Sequence, residues 1–230
     1  MKQLSEPLKR SRIWDTPDST HIIFSVDEPC YGCIRPRGDC FCATIPTIDN
    51  RTEILILQHL REQFHPFNTG RLVHRALRHS QLAVAHNQKL AESLPTLLKP
   101  RVGLLYPGPD ATLLNELHVD QRPDQLVILD GTWQQAESMM RAIPQLRSLP
   151  RYRLAPTKPS RFRIRRAPDP QALSTVEATI AALRVLEPDT AGLDRLQAAF
   201  VAMIDHQIGR DATKAQRRHS KREELAANER

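Results

Sequence analysis

Gln125-Leu126-Val127-Ile128-Leu129-Asp130-Gly131-Thr132-Trp133 is the stretch on which the reading of this chain turns. Four apolar residues, two of them β-branched, stop abruptly at an acid, a glycine, a hydroxyl and an indole. Gln134 to Arg141 follows with helical composition, so the pattern predicts a buried strand, a tight turn and a helix. The Asp130 carboxylate then stands at the C-terminal end of a strand. Open α/β sheets bind ligands at that edge, because the loops there vary while the sheet fixes their ends.

Two further units of the same kind lie upstream. Glu53 to His59 reads as a buried strand, followed by the polar loop Arg61 to Phe67 and by Asn68-Thr69-Gly70-Arg71, which opens a helix running to about His79. Arg101 to Tyr106 reads as a strand stopped by Pro107-Gly108-Pro109, and Leu82 to Ala85 as a short one. Strands interleaved with helical stretches predict a mostly parallel sheet flanked by helices. Each strand end could be read as an ordinary cap or turn: Asn68 and Asp130 as N-caps, Tyr106-Pro107-Gly108 as a plain turn, Trp133 as a core anchor. Their convergence on one sheet edge favours a shared ligand.

Beyond Pro144 the chain is proline-rich and basic. Arg147, Arg151, Arg153, Lys158, Arg161, Arg163, Arg165 and Arg166 face a single acid, Asp169, before Glu177. With Tyr152 and Phe162 interleaved, the run suits a phosphate backbone and base stacking better than a merely solvated surface. Ser174 and Glu177 have the spacing of a capping box at the start of a helix. A second helix is expected from Leu193 to about Ile208, and the charged stretch from Asp211 to Arg230 is expected to be a frayed helix or a disordered tail.

The 230 residues carry a formal net charge of +7, which suits an anionic partner. No apolar run is long enough to span a bilayer and the N-terminus lacks the apolar stretch of a signal peptide, so no membrane role and a cytoplasmic location are expected. All four cysteines, Cys30, Cys33, Cys40 and Cys42, lie within thirteen residues. Such a cluster cannot brace a chain of this length. Four thiolates on tight loops suit a structural Zn²⁺ with no open coordination position, in preference to two reducible disulfides or unrelated buried thiols. The chain therefore divides into a lead-in (1–25), a zinc-binding segment (26–48), a main domain (49–208) and a charged tail (209–230).

Taken together, Asp130-Gly131-Thr132-Trp133, the cysteine cluster, Asn68 to Arg71, Leu104 to Pro107 and Leu173 to Ala178 resemble, in order, the motifs of the DTW-domain proteins, the tRNA-uridine aminocarboxypropyltransferases. The resemblance spans about residues 28 to 205. It implies a SPOUT-like α/β fold with a C-terminal trefoil knot. The implied reaction moves the 3-amino-3-carboxypropyl group of S-adenosylmethionine to N3 of a tRNA uridine and releases 5′-methylthioadenosine. Cofactor contacts are implied for Thr69, Gly70, Tyr106, Pro107, Leu129, Gly131, Thr132, Leu173, Ser174 and Thr175. Asp130 is expected as general base, with Trp133 and Glu177 beside it as catalytic residues and Arg71, Arg161, Arg163, Arg165 and Arg166 on the RNA. His65 is given no role. A SPOUT-type methyltransferase and a non-catalytic zinc-ribbon RNA-binding protein are the competing readings. The sequence leaves the oligomeric state open, with a monomer favoured.

Overall fold

The computed structural model describes residues 28–156, 158–164 and 172–228. The lead-in expected at 1–25 lies outside them. In chain order the elements are β1 (Glu53–His59), α1 (Thr69–Ala76), β2 (Ser80–Ala85), α2 (Asn87–Leu97), β3 (Val102–Leu105), β4 (Thr112–Leu113), β5 (Gln125–Asp130), α3 (Trp133–Ala142), α4 (Pro144–Arg147), β6 (Arg151–Arg153), α5 (Thr175–Leu186) and α6 (Leu193–Asn228). They build one six-stranded sheet in the order β2-β1-β5-β3-β6-β4, and every pairing in it is parallel.

The apolar runs of β1 and β5 are explained by the layers on both sides of them. Successive side chains in a strand point to opposite faces, and a parallel sheet is covered on both. Ile54 and Ile56 of β1, with Leu126 and Ile128 of β5, join one core with α1, α5 and α6. Leu55, Leu57 and Val127 join the other, with Leu90 and Leu94 of α2, Met139 and Met140 of α3 and Leu146 of α4. Burying one such aliphatic side chain contributes about 1.5–3 kcal/mol. No helix among the described residues is long and apolar enough to cross a membrane.

Strand β5 lies between β1 and β3, so the chain leaves β1 toward β2 on one side and returns to β3 on the other. That is a topological switch point, where the loops after neighbouring strands diverge and leave a crevice. The ends of β1, β3 and β5 therefore meet at one edge, as the sequence predicts.

Several boundaries differ from the sequence reading for identifiable reasons. Helix α1 stops at Ala76, short of His79, because Leu77 and Arg78 turn to pair with Ile48. A strand, β6, forms inside the basic stretch. The ring of Tyr152 lies so close over Gly103 that a Cβ there would come 2.1 Å from its Cε2. Helix α6 buries Leu196, Phe200, Met203 and Ile204 on one stripe and then continues past Ile208 to Asn228. Its later part is rich in Ala, Lys, Arg, Gln and Glu, good intrinsic helix formers that need no packed face. The trefoil knot implied by the resemblance concerns the C-terminal part of the chain, of which 165–171 lie outside the described residues.

Candidate active site

Asp130, the last residue of β5, is 3% exposed and accepts four hydrogen bonds. Oδ2 takes Nε2 of Gln58 at 2.8 Å and Nδ2 of Asn68 at 2.6 Å. Oδ1 takes Oγ1 of Thr175 at 2.6 Å and the backbone N–H of Gly70 at 3.2 Å. A carboxylate has about four lone-pair sites, and here all are engaged. Three separate elements are thereby tied to one group: β1 through Gln58, the start of α1 through Asn68 and Gly70, and the first residue of α5 through Thr175. Two helix N-termini converge on the carboxylate, an arrangement that their dipoles favour.

Each helix start is capped by its own residues. Asn68 Oδ1 accepts the N–H of Arg71 at 2.7 Å while its amide donates to Asp130. Thr132 caps α3 in a capping box with Gln135, so Asp130 is not that helix's cap. Ser174 caps α5 with Glu177, as the spacing predicts. Glu177 does more than cap. Its carboxylate accepts from Ser174 N at 3.0 Å, Ser174 Oγ at 2.6 Å, Ser160 Oγ at 2.6 Å and the backbone N–H of Arg161 at 2.6 Å. Thus it clasps the segment 158–164 to the helix start.

A cavity of about 820 Å³ opens over these groups. That is ample for a drug-sized ligand. Thr69, Tyr106, Pro107, Leu129, Asp130, Gly131, Thr132, Trp133, Leu173, Ser174 and Thr175 line it, joined by Glu62, Tyr152, Arg153, Ser160, Phe162 and Arg163. Trp133 stands at 39% exposure, an indole on the cavity wall rather than in the core. Burial pushes the Tyr106 phenol up, and Glu137 adds to the shift, so the hydroxyl keeps its proton at neutral pH.

The cysteine cluster forms a second constellation. All four Sγ atoms lie within 4.8 Å of one another, and the thiols are free. Cys30 is 3.4 Å from Cys40 and 3.8 Å from Cys42, while tetrahedral thiolates at Zn–S distances of about 2.3 Å stand roughly 3.8 Å apart. The four residues can therefore hold a metal ion. Burial pushes the Cys33 and Cys42 thiols up. It also raises that of Cys30, but the backbone N–H of Cys33, the Cys40 thiol and the N–H of Gly32 together bring it down to about 6. Ile34, just after the first pair, takes φ 60°, a left-handed turn uncommon for a β-branched residue.

The family model for the DTW domain matches residues 27–208. The chain belongs to the DTW domain family. It is 31% identical over 176 residues to tRNA-uridine aminocarboxypropyltransferase 2 of Drosophila melanogaster, a match covering 71% of this chain and 70% of that one. The mouse protein of the same name is 28% identical, over 78% of this chain and 63% of its own length. The tRNA-uridine aminocarboxypropyltransferase A of Arabidopsis thaliana is 26% identical, over 72% and 75%. The chain thus spans about two thirds of the length of these relatives. No solved structure matches it.

Within this DTW domain, the cofactor residues expected from the sequence line one cavity, except Gly70, which lies beneath Asp130. Glu177 is outside the lining, turned toward Ser160 and Arg161. The structure also turns Arg71 inward: its guanidinium donates to the carbonyls of Cys33 at 3.3 Å, His65 at 3.4 Å and Gln63, and burial lowers its pKa. These donors face carbonyls, not solvent. Arg163 is on the cavity wall and pairs with Asp205. Arg161 is exposed and lies off the wall, and Arg165 and Arg166 lie outside the described residues. Sequence reasoning passed over Gln58 and Glu62, whose only signal was a polar residue next to the end of a buried strand.

Gly70 tests the network directly. A Cβ there would lie 2.6 Å from Cγ of Asp130. Gly70→Ala is expected to displace the carboxylate, lowering stability by about 1–3 kcal/mol in a thermal or urea denaturation. Unchanged stability would mean that the approach is not tight.

Proposed function

We propose that this chain is a tRNA-uridine aminocarboxypropyltransferase, moving the 3-amino-3-carboxypropyl group of S-adenosylmethionine to N3 of an unpaired tRNA uridine and releasing 5′-methylthioadenosine. The observation that carries the reading is the cavity of about 820 Å³ at the switch point, lined by the motifs of a family whose relatives are named tRNA-uridine aminocarboxypropyltransferases. A sulfonium makes each attached carbon electrophilic, so the product is decided by which carbon the site presents in line with the nucleophile. As the N3–C bond forms, the C–S bond breaks and its electron pair stays on sulfur. The N3 proton must leave to a base.

The residues divide these tasks. Thr69, Tyr106, Leu129, Gly131, Leu173 and Ser174 are suited to seat the cofactor among backbone groups at two helix starts. Asp130 was expected as the base, but its lone-pair sites are engaged by four donors, which suits it to hold the floor instead. Glu62 is the other carboxylate on the described cavity wall, 6% exposed, and we assign the proton to it. Arg153 on the wall supplies positive charge toward a phosphate or the developing uracil anion, beside Arg163, whose guanidinium is paired with Asp205. The cysteine cluster is assigned a structural Zn²⁺, with Cys30, Cys33, Cys40 and Cys42 as ligands. A reducing cytoplasm suits these free thiols.

Purified protein is expected to carry one zinc per chain by elemental analysis, and Cys33→Ser to lose most of it together with thermal stability. Metal-free protein that melts as the wild type does would remove the structural role. Incubation with unmodified tRNA and S-adenosylmethionine, followed by nucleoside mass spectrometry, is expected to show an aminocarboxypropyl adduct of uridine. Methylated nucleoside instead would give the reaction to a methyltransferase, and no product with intact tRNA binding would favour a binding protein. Glu62→Gln should lower kcat by about 10²–10⁴-fold while tRNA binding is kept. An unchanged kcat would exclude Glu62 as the base.

A further inference from the structure

Phe, Trp and Tyr together are only 5% of this chain, yet two of the rings stand almost bare on neighbouring loops. Tyr31, between the first two cysteines, is 91% exposed, and Phe64, in the loop after β1, is 70% exposed. Leaving an aromatic ring in water forgoes a large burial gain, and both lie where the backbone is firmly held. Arg71 fastens the two loops together, donating to the carbonyls of Cys33, Gln63 and His65. A second clamp lies behind it. The guanidinium of Arg35, 2% exposed, sits 5.3 Å from the Phe41 ring centroid and 4.9 Å from that of Phe67, joining the cysteine segment to the same loop.

Position and charge point to one occupant. Phe64 lies between Glu62 and Phe67, both on the cavity wall, so its loop borders the proposed reaction site, and Arg71 ties the Tyr31 loop to it. Arg61 is exposed on the same turn, and the Arg75 guanidinium lies against Gly32, next to Tyr31. Given the reading of the site as a uridine N3 transferase, on which this inference rests, the substrate base must be unpaired, because N3 is on its pairing edge. Its neighbours in a loop are then free to unstack, and unpaired bases bind aromatic faces flanked by cations.

We propose that Tyr31 and Phe64 form a stacking platform for unpaired RNA bases flanking the target uridine. Zinc-dependent folding of the cysteine segment would thereby serve substrate binding, by holding the Tyr31 loop against the Phe64 loop.

The test is equilibrium binding of unmodified tRNA, at one fixed salt concentration, to the full chain and to Tyr31→Ala, Phe64→Ala and Phe64→Leu. Calorimetric titration with S-adenosylmethionine, melting temperature and metal content are followed in parallel. Each loss of a ring is expected to weaken tRNA binding by about fivefold or more, since stacking is worth about that per base. Phe64→Leu should behave like Phe64→Ala, because it keeps the apolar bulk and loses the π-face, whereas Phe64→Trp and Tyr31→Phe should bind as the wild type does. S-adenosylmethionine affinity should not move. Wild-type binding with equal affinity in Phe64→Leu would overturn the platform and leave the transferase reading standing. A change of oligomeric state in Phe64→Leu at unchanged tRNA affinity would also overturn it, in favour of a contact between copies. Wild-type protein that binds no tRNA would remove the reading beneath it.

Discussion

Four hydrogen bonds to one buried carboxylate hold the functional edge of this sheet together. The partners of Asp130 come from β1, from both side chain and backbone at the start of α1, and from the start of α5. None of these elements is adjacent to β5 in sequence. Each bond to a charged group is worth about 1.5–3 kcal/mol, and a buried donor left without its acceptor costs about 1–3 kcal/mol. Losing the carboxylate would strand several donors at once. The cavity depends on the same constraint, since Thr69 and Thr175 enter its wall only if both helices start where Asp130 holds them.

Two further charged groups extend this scaffold outward. Glu177 clasps the 158–164 segment to α5, which places Ser160, Phe162 and Arg163 on the cavity wall. Arg71 and Arg35 join the cysteine segment to the loop after β1. The four thiols, which can hold a metal ion, and the cavity wall are therefore connected through a short chain of contacts.

The parts of the fold that the sequence discloses are those with strong local pattern. The apolar runs of β1 and β5, the capping box at Ser174 and Glu177 and the spacing of the four cysteines all survive as read. Other features have no local signature. Strand β6 is three residues with arginine at both ends, and the ring of its Tyr152 takes room that only a glycine at position 103 leaves. Helix α2 contains Pro95 and β4 is two residues long. The length of α6 comes from intrinsic propensity, while the sequence reading looked for an apolar face. The Asp130 network is the clearest case. Its side-chain donors lie 45, 62 and 72 residues from Asp130 in sequence, and a motif can show that an aspartate is present without showing what fills its lone pairs.

The sharpest measurement is calorimetric titration of S-adenosylmethionine into the wild type and Asp130→Asn, with melting temperature recorded for both. An amide has one oxygen, and its NH₂ would face at least one N–H donor whichever way it is turned, Gly70 on one side or Gln58 and Asn68 on the other. If Asp130 holds the floor of the cavity, Asp130→Asn loses cofactor affinity and melts lower. Wild-type affinity and stability in Asp130→Asn, with turnover alone abolished, would contradict that account and return the carboxylate to the role of general base.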